Sequence, residues 1–200
     1  MMQFPYLVFS LDDFSEEIMT KENWGCIFEL KKLFPALKIT MYTVPLLCDR
    51  SWLQWVKSKY SWMELHYHGS YHRDRDEWMH KFDESQVVLE NSDLFFRGFK
   101  APWYMMEQRA ADYFNEKGFL VSARQGRYDV CLQRSYRFNE GREVFGDICY
   151  ENGVYRSVNS HVQPMKQKLG LPDIFDSIVA LTKGNYRFLY VSELPCARSI

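Results

Sequence analysis

Short apolar runs and amphipathic stretches alternate along this chain from one end to the other. Tyr6-Leu7-Val8-Phe9-Ser10-Leu11 has the length and character of a buried strand, and it ends at the acidic pair Asp12-Asp13. Trp24, Ile27, Phe28 and Phe34 fall near helical spacing, and Pro35 predicts where that helix stops. A second strand is predicted over residues 37–44 (LKITMYTV) and a third over 63–68. Between them, Ser51 can cap a helix whose Trp52, Trp55 and Val56 stand at i, i+3 and i+4.

The middle is less regular. Residues 73–92 are rich in charge, with a short helix expected over 84–91, and residues 96–100 can form a strand broken by Pro102. A helix is predicted over 105–117 with Gly118 as its stop, followed by strands over 119–123 and 130–133. Asn152-Gly153 between apolar runs is a hairpin signal whose second arm continues toward His161. Pro172 opens a last helix carrying Ile174, Ile178 and Leu181, Gly184 ends it, and residues 186–191 predict a final strand.

Strand and helix in alternation point to an α/β fold with a mostly parallel sheet of about seven strands. An incomplete or distorted (β/α) barrel and an open doubly wound sheet both fit that pattern. No repeat, low-complexity segment or linker interrupts the chain, so residues 1–200 are read as one domain, a size that buries a core without disulfides.

Charge excludes little except by balance. With 25 basic and 26 acidic residues there is no basic excess to serve a nucleic-acid surface. No stretch approaches the ~20 apolar residues of a membrane span, and residues 1–10 make a poor signal peptide. Five cysteines (Cys26, Cys48, Cys131, Cys149, Cys196) without CxxC spacing fit a reducing compartment, so the chain is expected to be cytoplasmic.

Candidate chemistry sits at the C-terminal ends of the predicted strands: Asp12 and Asp13, His68 and His72, Lys100, and His161. Parallel α/β sheets and barrels both gather their sites on that rim. His68 and His72 are four apart, which on one helical turn would chelate Zn²⁺, Co²⁺ or Ni²⁺, although such a pair is also common on exposed helices. His66 and His80 are read as structural. The acidic pair can divide into a ligand and a proton acceptor, or can simply begin a loop. The charged run at residues 73–77 reads as a solvated loop or helix start.

These residues together resemble the polysaccharide deacetylases, the NodB-homology or carbohydrate esterase family 4 proteins. Phe9-Ser10-Leu11-Asp12-Asp13-Phe14 is similar to the family's T-F-D-D-G, and the strand at residues 39–44 to its K-A-T-F-F. Residues 64–72 (ELHYHGSYH) resemble E-[IL]-x-x-H-[ST]-x-x-H, Phe99-Lys100-Ala101-Pro102-Trp103 resembles F-R-x-P-[YW], and Ser160-His161-Val162 resembles the closing Leu-His motif. The order holds over nearly the whole chain.

The resemblance implies a deacetylase-like incomplete (β/α) barrel and a divalent metal held by Asp13, His68 and His72. It implies Asp12 as general base, His161 as general acid, and removal of an acyl group, above all N-acetyl from an amino sugar. Lys100 stands where the family has Arg, so a looser hold on Asp12 is expected. Phe14 replaces a Gly and is expected to add bulk beside the site. The family's Asp-x-x-Asp-Trp motif is missing; Asp129, with Asp147 as rival, is the candidate for orienting His161. Trp103 and Tyr104 could stack on a sugar or fill the core. The expected partner is a carbohydrate or another N-acylated small molecule, with no nucleic acid and no membrane. A glycan-binding relative without turnover and a hydrolase of a non-sugar amide remain open alternatives.

Overall fold

A computed structural model of the chain describes residues 6–69, 94–102, 108–123, 130–131, 149–151, 155–162 and 170–194. The helix expected at 84–91 and His80 fall outside these. Strand β1 (Tyr6–Phe14) is the axis of the molecule, and its burial explains its composition. It pairs in parallel with β2 (Ile39–Thr43) on one side and with β8 (Tyr155–His161) on the other. These neighbours satisfy both of its edges, and both of its faces are buried as well, so it is built of residues that tolerate full burial.

The sheet continues outward from β2 through β3 (Met63–Tyr67), β4 (Gly98–Lys100), β5 (Leu120–Ala123) and β6 (Val130–Cys131), all parallel. Beyond β8 lies β7 (Cys149–Glu151), antiparallel to it, as the Asn-Gly signal predicted. A last strand, β9 (Arg187–Leu189), pairs with the first residues of β1. Among the described residues the strands follow the path β6-β5-β4-β3-β2-β1-β8-β7, and the sheet is a curled half-barrel.

Helices close the convex face. Helix α1 (Lys21–Leu33) begins at a capping box in which Thr20 Oγ1 accepts from the Asn23 N–H and Asn23 Oδ1 accepts from the Thr20 N–H. It buries Asn23, Ile27 and Leu30, the i, i+4, i+7 stripe that faces the sheet. Pro35 lies just beyond it, and Lys31 Nζ donates to the carbonyls of Pro35 and Leu37 there. Helix α2 (Arg50–Lys59) turns Leu53 and Val56 inward. Its N-cap is Asp49, not Ser51, because Arg50 and Ser51 already carry helical hydrogen bonding.

Helix α3 (Gln108–Glu116) sets Phe114 on Phe99 of β4 and stops before Gly118, whose φ of 73° suits the absence of a Cβ. Pro172 opens a 3₁₀ turn over Leu171–Ile174, which feeds α4 (Phe175–Thr182). Between sheet and helices, Leu7, Phe9, Leu11, Ile39, Leu65, Phe99 and Val158 meet Ile27, Leu53, Val56 and Ile178. The concave side differs: Val8, Tyr42, Leu120, Tyr155 and Leu189 form an apolar floor there, and the strands turn polar above it. No helix among the described residues is long and apolar enough to cross a membrane.

Candidate active site

Two consecutive carboxylates can face one site only if the strand breaks its alternation. β1 does so. Its register with β2 passes from Leu11↔Met41 to Phe14↔Thr43, so three steps on β1 match two on β2. Asp13 takes up the extra residue with φ of 62°, and it is the one non-glycine residue with positive φ among those described. Aspartate tolerates this left-handed region better than most residues, at a cost of about 1–3 kcal/mol. The strain keeps Asp12 on the concave face, turns Asp13 to His68, and sends Phe14 to the convex side. There Phe14 packs on Trp24 and Trp52, 5.9 and 5.2 Å between ring centroids. The expectation that Phe14 crowds the site is therefore overturned.

Asp12 is almost wholly buried, and a buried carboxylate needs a cation. Lys100, reaching across from β4, supplies one: its Nζ donates to Asp12 Oδ1 and Oδ2, both at 2.7 Å. The ammonium also stands 4.8 Å from the centre of the Tyr42 ring, whose hydroxyl donates to Ser122. Burial by itself would raise the Asp12 pKa, but Lys100, with His68 and His161 adding to it, holds the carboxyl well below the ordinary carboxylate range. The loose hold expected of lysine is not what the site has. Both oxygens of Asp12 are gripped, and Asn159 Nδ2 adds a 3.3 Å donor to Oδ2.

His68 leaves β3 with its N–H donated to the carbonyl of Thr43. Its Nδ1 lies 2.9 Å from the backbone carbonyl of Lys100. A carbonyl can only accept, so Nδ1 carries a proton and Nε2 is the nitrogen left to meet another partner. That nitrogen faces Asp13 Oδ1 at 3.5 Å, both side chains buried. An imidazole nitrogen fixed by a carbonyl at its other end, beside a carboxylate oxygen, is a donor set that suits a divalent transition metal. Among the described residues no group of three or more His, Cys, Asp or Glu side chains is placed to hold a metal ion. His72, expected to be the third ligand, lies outside those residues, as do Asp129, its rival Asp147, Trp103 and Tyr104.

His161 closes the arrangement from β8. It is the cross-strand partner of Asp12, and its Nε2 stands 3.8 Å from Asp12 Oδ2. The chain just beyond it is pinned on both sides: Val162 N–H donates to the carbonyl of Asp12, and the carbonyl of Val162 accepts from Asn23 Nδ2. Asn23 and Asn159 are site residues that the motif reading passed over. For Asn23 the usable signal was its place three residues after Thr20; for Asn159 it was the i−2 relation to His161 on one face of a strand. His66 occupies the same face of β3 lower down, bonded to Glu64 at 2.6 Å, as a structural histidine would be. Its ring packs so closely on Gly98 that a Cβ there would overlap it.

Asp12, Asp13, Lys100, His68 and His161 thus converge from β1, β3, β4 and β8. No family model and no curated protein matches the sequence. Solved structures do match. One is a peptidoglycan N-acetylglucosamine deacetylase in complex with a hydroxamate-bearing naphthyl benzamide, 13% identical, with a TM-score of 0.63 over 96% of this chain and 88% of that one. Another is a family 4 acetyl xylan esterase from Clostridium thermocellum in complex with cobalt, 15% identical, with a TM-score of 0.59 over 94% of this chain and 89% of that one. A third is a family 4 pseudoenzyme from Bacillus anthracis, 12% identical, with a TM-score of 0.56 over 97% of this chain and 66% of that one. The chain has the fold of the carbohydrate esterase family 4 deacetylases.

Proposed function

We propose that this chain is a metal-dependent hydrolase that removes the N-acetyl group from an amino sugar, in a free sugar or a glycan. The observation that carries the reading is the split of the acidic pair. One strained turn sends Asp13 to His68 and leaves Asp12 between Lys100 and His161. Asp13, His68 and His72 would hold the ion, with Zn²⁺ expected and Co²⁺ or Ni²⁺ able to substitute. What a divalent cation supplies at such a place is Lewis acidity, which acidifies water and polarises an acyl carbonyl.

The chain's own groups do the rest. Asp12 is kept ionised by Lys100 and so can take the proton of the attacking water. His161, on the far side of Asp12, gives a proton to the departing amine. Asp129 would orient His161, and Trp103 and Tyr104 would bear on the sugar face. One domain carries the whole site in this reading. A cytoplasmic location belongs to the same reading, on five cysteines without CxxC spacing.

A second reading, a glycan-binding relative without turnover, draws on the pseudoenzyme among the solved neighbours and on lysine standing at position 100. Two measurements separate the readings. Elemental analysis of the purified protein is expected to give close to one divalent metal per chain, lost in Asp13→Ala and His68→Ala. Acetate release is then followed on N-acetylglucosamine oligomers, on acetyl xylan and on a non-sugar N-acetyl amide. Release from the first is expected, and Asp12→Asn is expected to keep the metal while losing the release. Unchanged metal in both ligand variants would overturn the site; sugar binding with no release from any substrate would favour the second reading.

A further inference from the structure

An ammonium group has three protons, and among the described residues Lys100 has three acceptors inside the barrel. Two are the oxygens of Asp12 and the third is Asn159 Oδ1 at 3.2 Å. The orientation of that amide is fixed by chemistry. Lysine can only donate, so the atom of Asn159 that faces it must be oxygen. The same oxygen receives the Ser10 hydroxyl at 2.8 Å, which leaves Nδ2 turned to Asp12 Oδ2. Ser10, Asp12, Lys100 and Asn159 are all buried. Nothing about this arrangement is loose.

Strand register builds it. Ser10 and Asp12 are two apart on the concave face of β1, and Asn159 and His161 are two apart on the concave face of β8. The ladder pairs Ser10 with Asn159 and Asp12 with His161. Asn159 therefore lies one rung below the proposed proton donor and beside the proposed base. Lysine brings a point charge without the planar fork that grips a carboxylate at both oxygens unaided. An ammonium with two acceptors can still swing about its stem; a third acceptor, itself bonded to the carboxylate, removes that freedom.

We infer that Asn159, oriented by Ser10, is a positioning residue that fixes the Lys100 ammonium and the Asp12 carboxylate as one unit, and so lets lysine serve at this position. Its activity consequence rests on the hydrolase reading; its structural consequence does not. Removing the amide frees one N–H of Lys100 and one donor to Asp12 Oδ2, the oxygen nearest His161. The carboxylate can then turn away from the water it must deprotonate.

The test uses the full chain with ¹⁵N-labelled lysine. Fully hydrogen-bonded ammonium protons in a dry interior exchange slowly, so Lys100 is expected to give a resolved ¹H–¹⁵N cross-peak, assigned by its loss in Lys100→Met. In Asn159→Leu that peak is expected to broaden away, and in Ser10→Ala to shift. Should Asn159→Leu fail to fold, Ser10→Ala alone decides through the shift. A cross-peak unchanged in the folded variants overturns the inference. Where the wild type releases acetate, Asn159→Leu is expected to lower kcat about 10- to 100-fold with KM unchanged, the scale of a small misplacement of a reacting group. Lys100→Arg combined with Asn159→Leu is expected to regain most of that loss, because guanidinium grips both carboxylate oxygens on its own. Failure of that rescue overturns the inference as well. A wild type with no acetate release defeats the hydrolase reading and leaves the cross-peak to judge this one.

Discussion

The two faces of the sheet are made by the same strands and obey different physics. On the convex face, Leu7, Phe9 and Leu11 of β1 and Val158 of β8 pack with the helices in one apolar layer, where shape and volume decide the energy. On the concave face, one residue away along each strand, Ser10, Asp12 and Asn159 are just as buried and are held by hydrogen bonds and charge. The convex face tolerates exchange of one hydrocarbon for another of like volume. The concave face tolerates far less, since Ser10, Asp12, Lys100 and Asn159 are satisfied by particular neighbours there and are costly without them. The fold is secured on one side so that the chemistry can be strained on the other, as the left-handed Asp13 shows.

The strongest way to break this contrast is to unpair the buried charges. Lys100→Met leaves the Asp12 carboxyl buried without its cation and with only the weaker Asn159 donor of this cluster, and is expected to cost about 3–5 kcal/mol in urea denaturation. Asp12→Leu combined with Lys100→Met removes both charges and is expected to be more stable than Lys100→Met alone. A double variant no more stable than that single variant would mean that the pair is not what the concave face depends on.

How far the sequence discloses each face follows from the same division. The convex face is legible because hydrophobic period alone specifies it: β1, β2, β3, α1 and the hairpin of β7 with β8 lie close to where the apolar spacing puts them. The gathering of Asp12, Asp13, His68 and His161 on one rim is legible too, since acidic and imidazole side chains at the ends of buried strands stand out from the apolar runs before them. What is hidden is anything that depends on register or on a break in alternation. Phe14 reads as a neighbour of the site only while β1 is taken as regular, and the bulge that reverses it leaves no mark in composition. Asn159 and Ser10 are unremarkable residues until the ladder sets them side by side. Lys100 looks like a weakened arginine until its third acceptor is seen. The N-cap of α2 at Asp49 instead of Ser51 is a smaller case of the same kind, since Asp49 takes that position without a side-chain hydrogen bond to mark it.

A substitution on the convex face sharpens the contrast from the other side. Leu65 lies on β3 just before His66, buried in the apolar layer. Leu65→Ala is expected to cost about 3 kcal/mol through lost transfer energy and the cavity left behind. Because its side chain points away from the concave face, acetate release per folded molecule and metal content are expected to stay at the wild-type level. Loss of metal from a protein still folded would show that the two faces are not separable.

The smallest effect is expected where the two faces meet, at the start of α1. Thr20 Oγ1 accepts from the Asn23 N–H and donates to Asn23 Oδ1 at 2.6 Å, so the residue that caps the helix also aims the Asn23 amide. That amide reaches the carbonyl of Val162, directly after His161. Thr20→Ala is expected to cost about 1 kcal/mol, the ordinary loss of an N-cap, seen as a lowered urea midpoint. A cap that served only its helix would stop there. Here Asn23 keeps the Thr20 N–H but loses the hydroxyl that faced its oxygen, and the segment after His161 gains freedom. Acetate release is therefore expected to fall severalfold at 25 °C, where the protein remains folded, and Asn23→Ala is expected to lower it further. Equal release by Thr20→Ala and wild type under those conditions would confine Thr20 to the helix and leave the strand pairing of Val162 with Asp12 as what holds His161 in place.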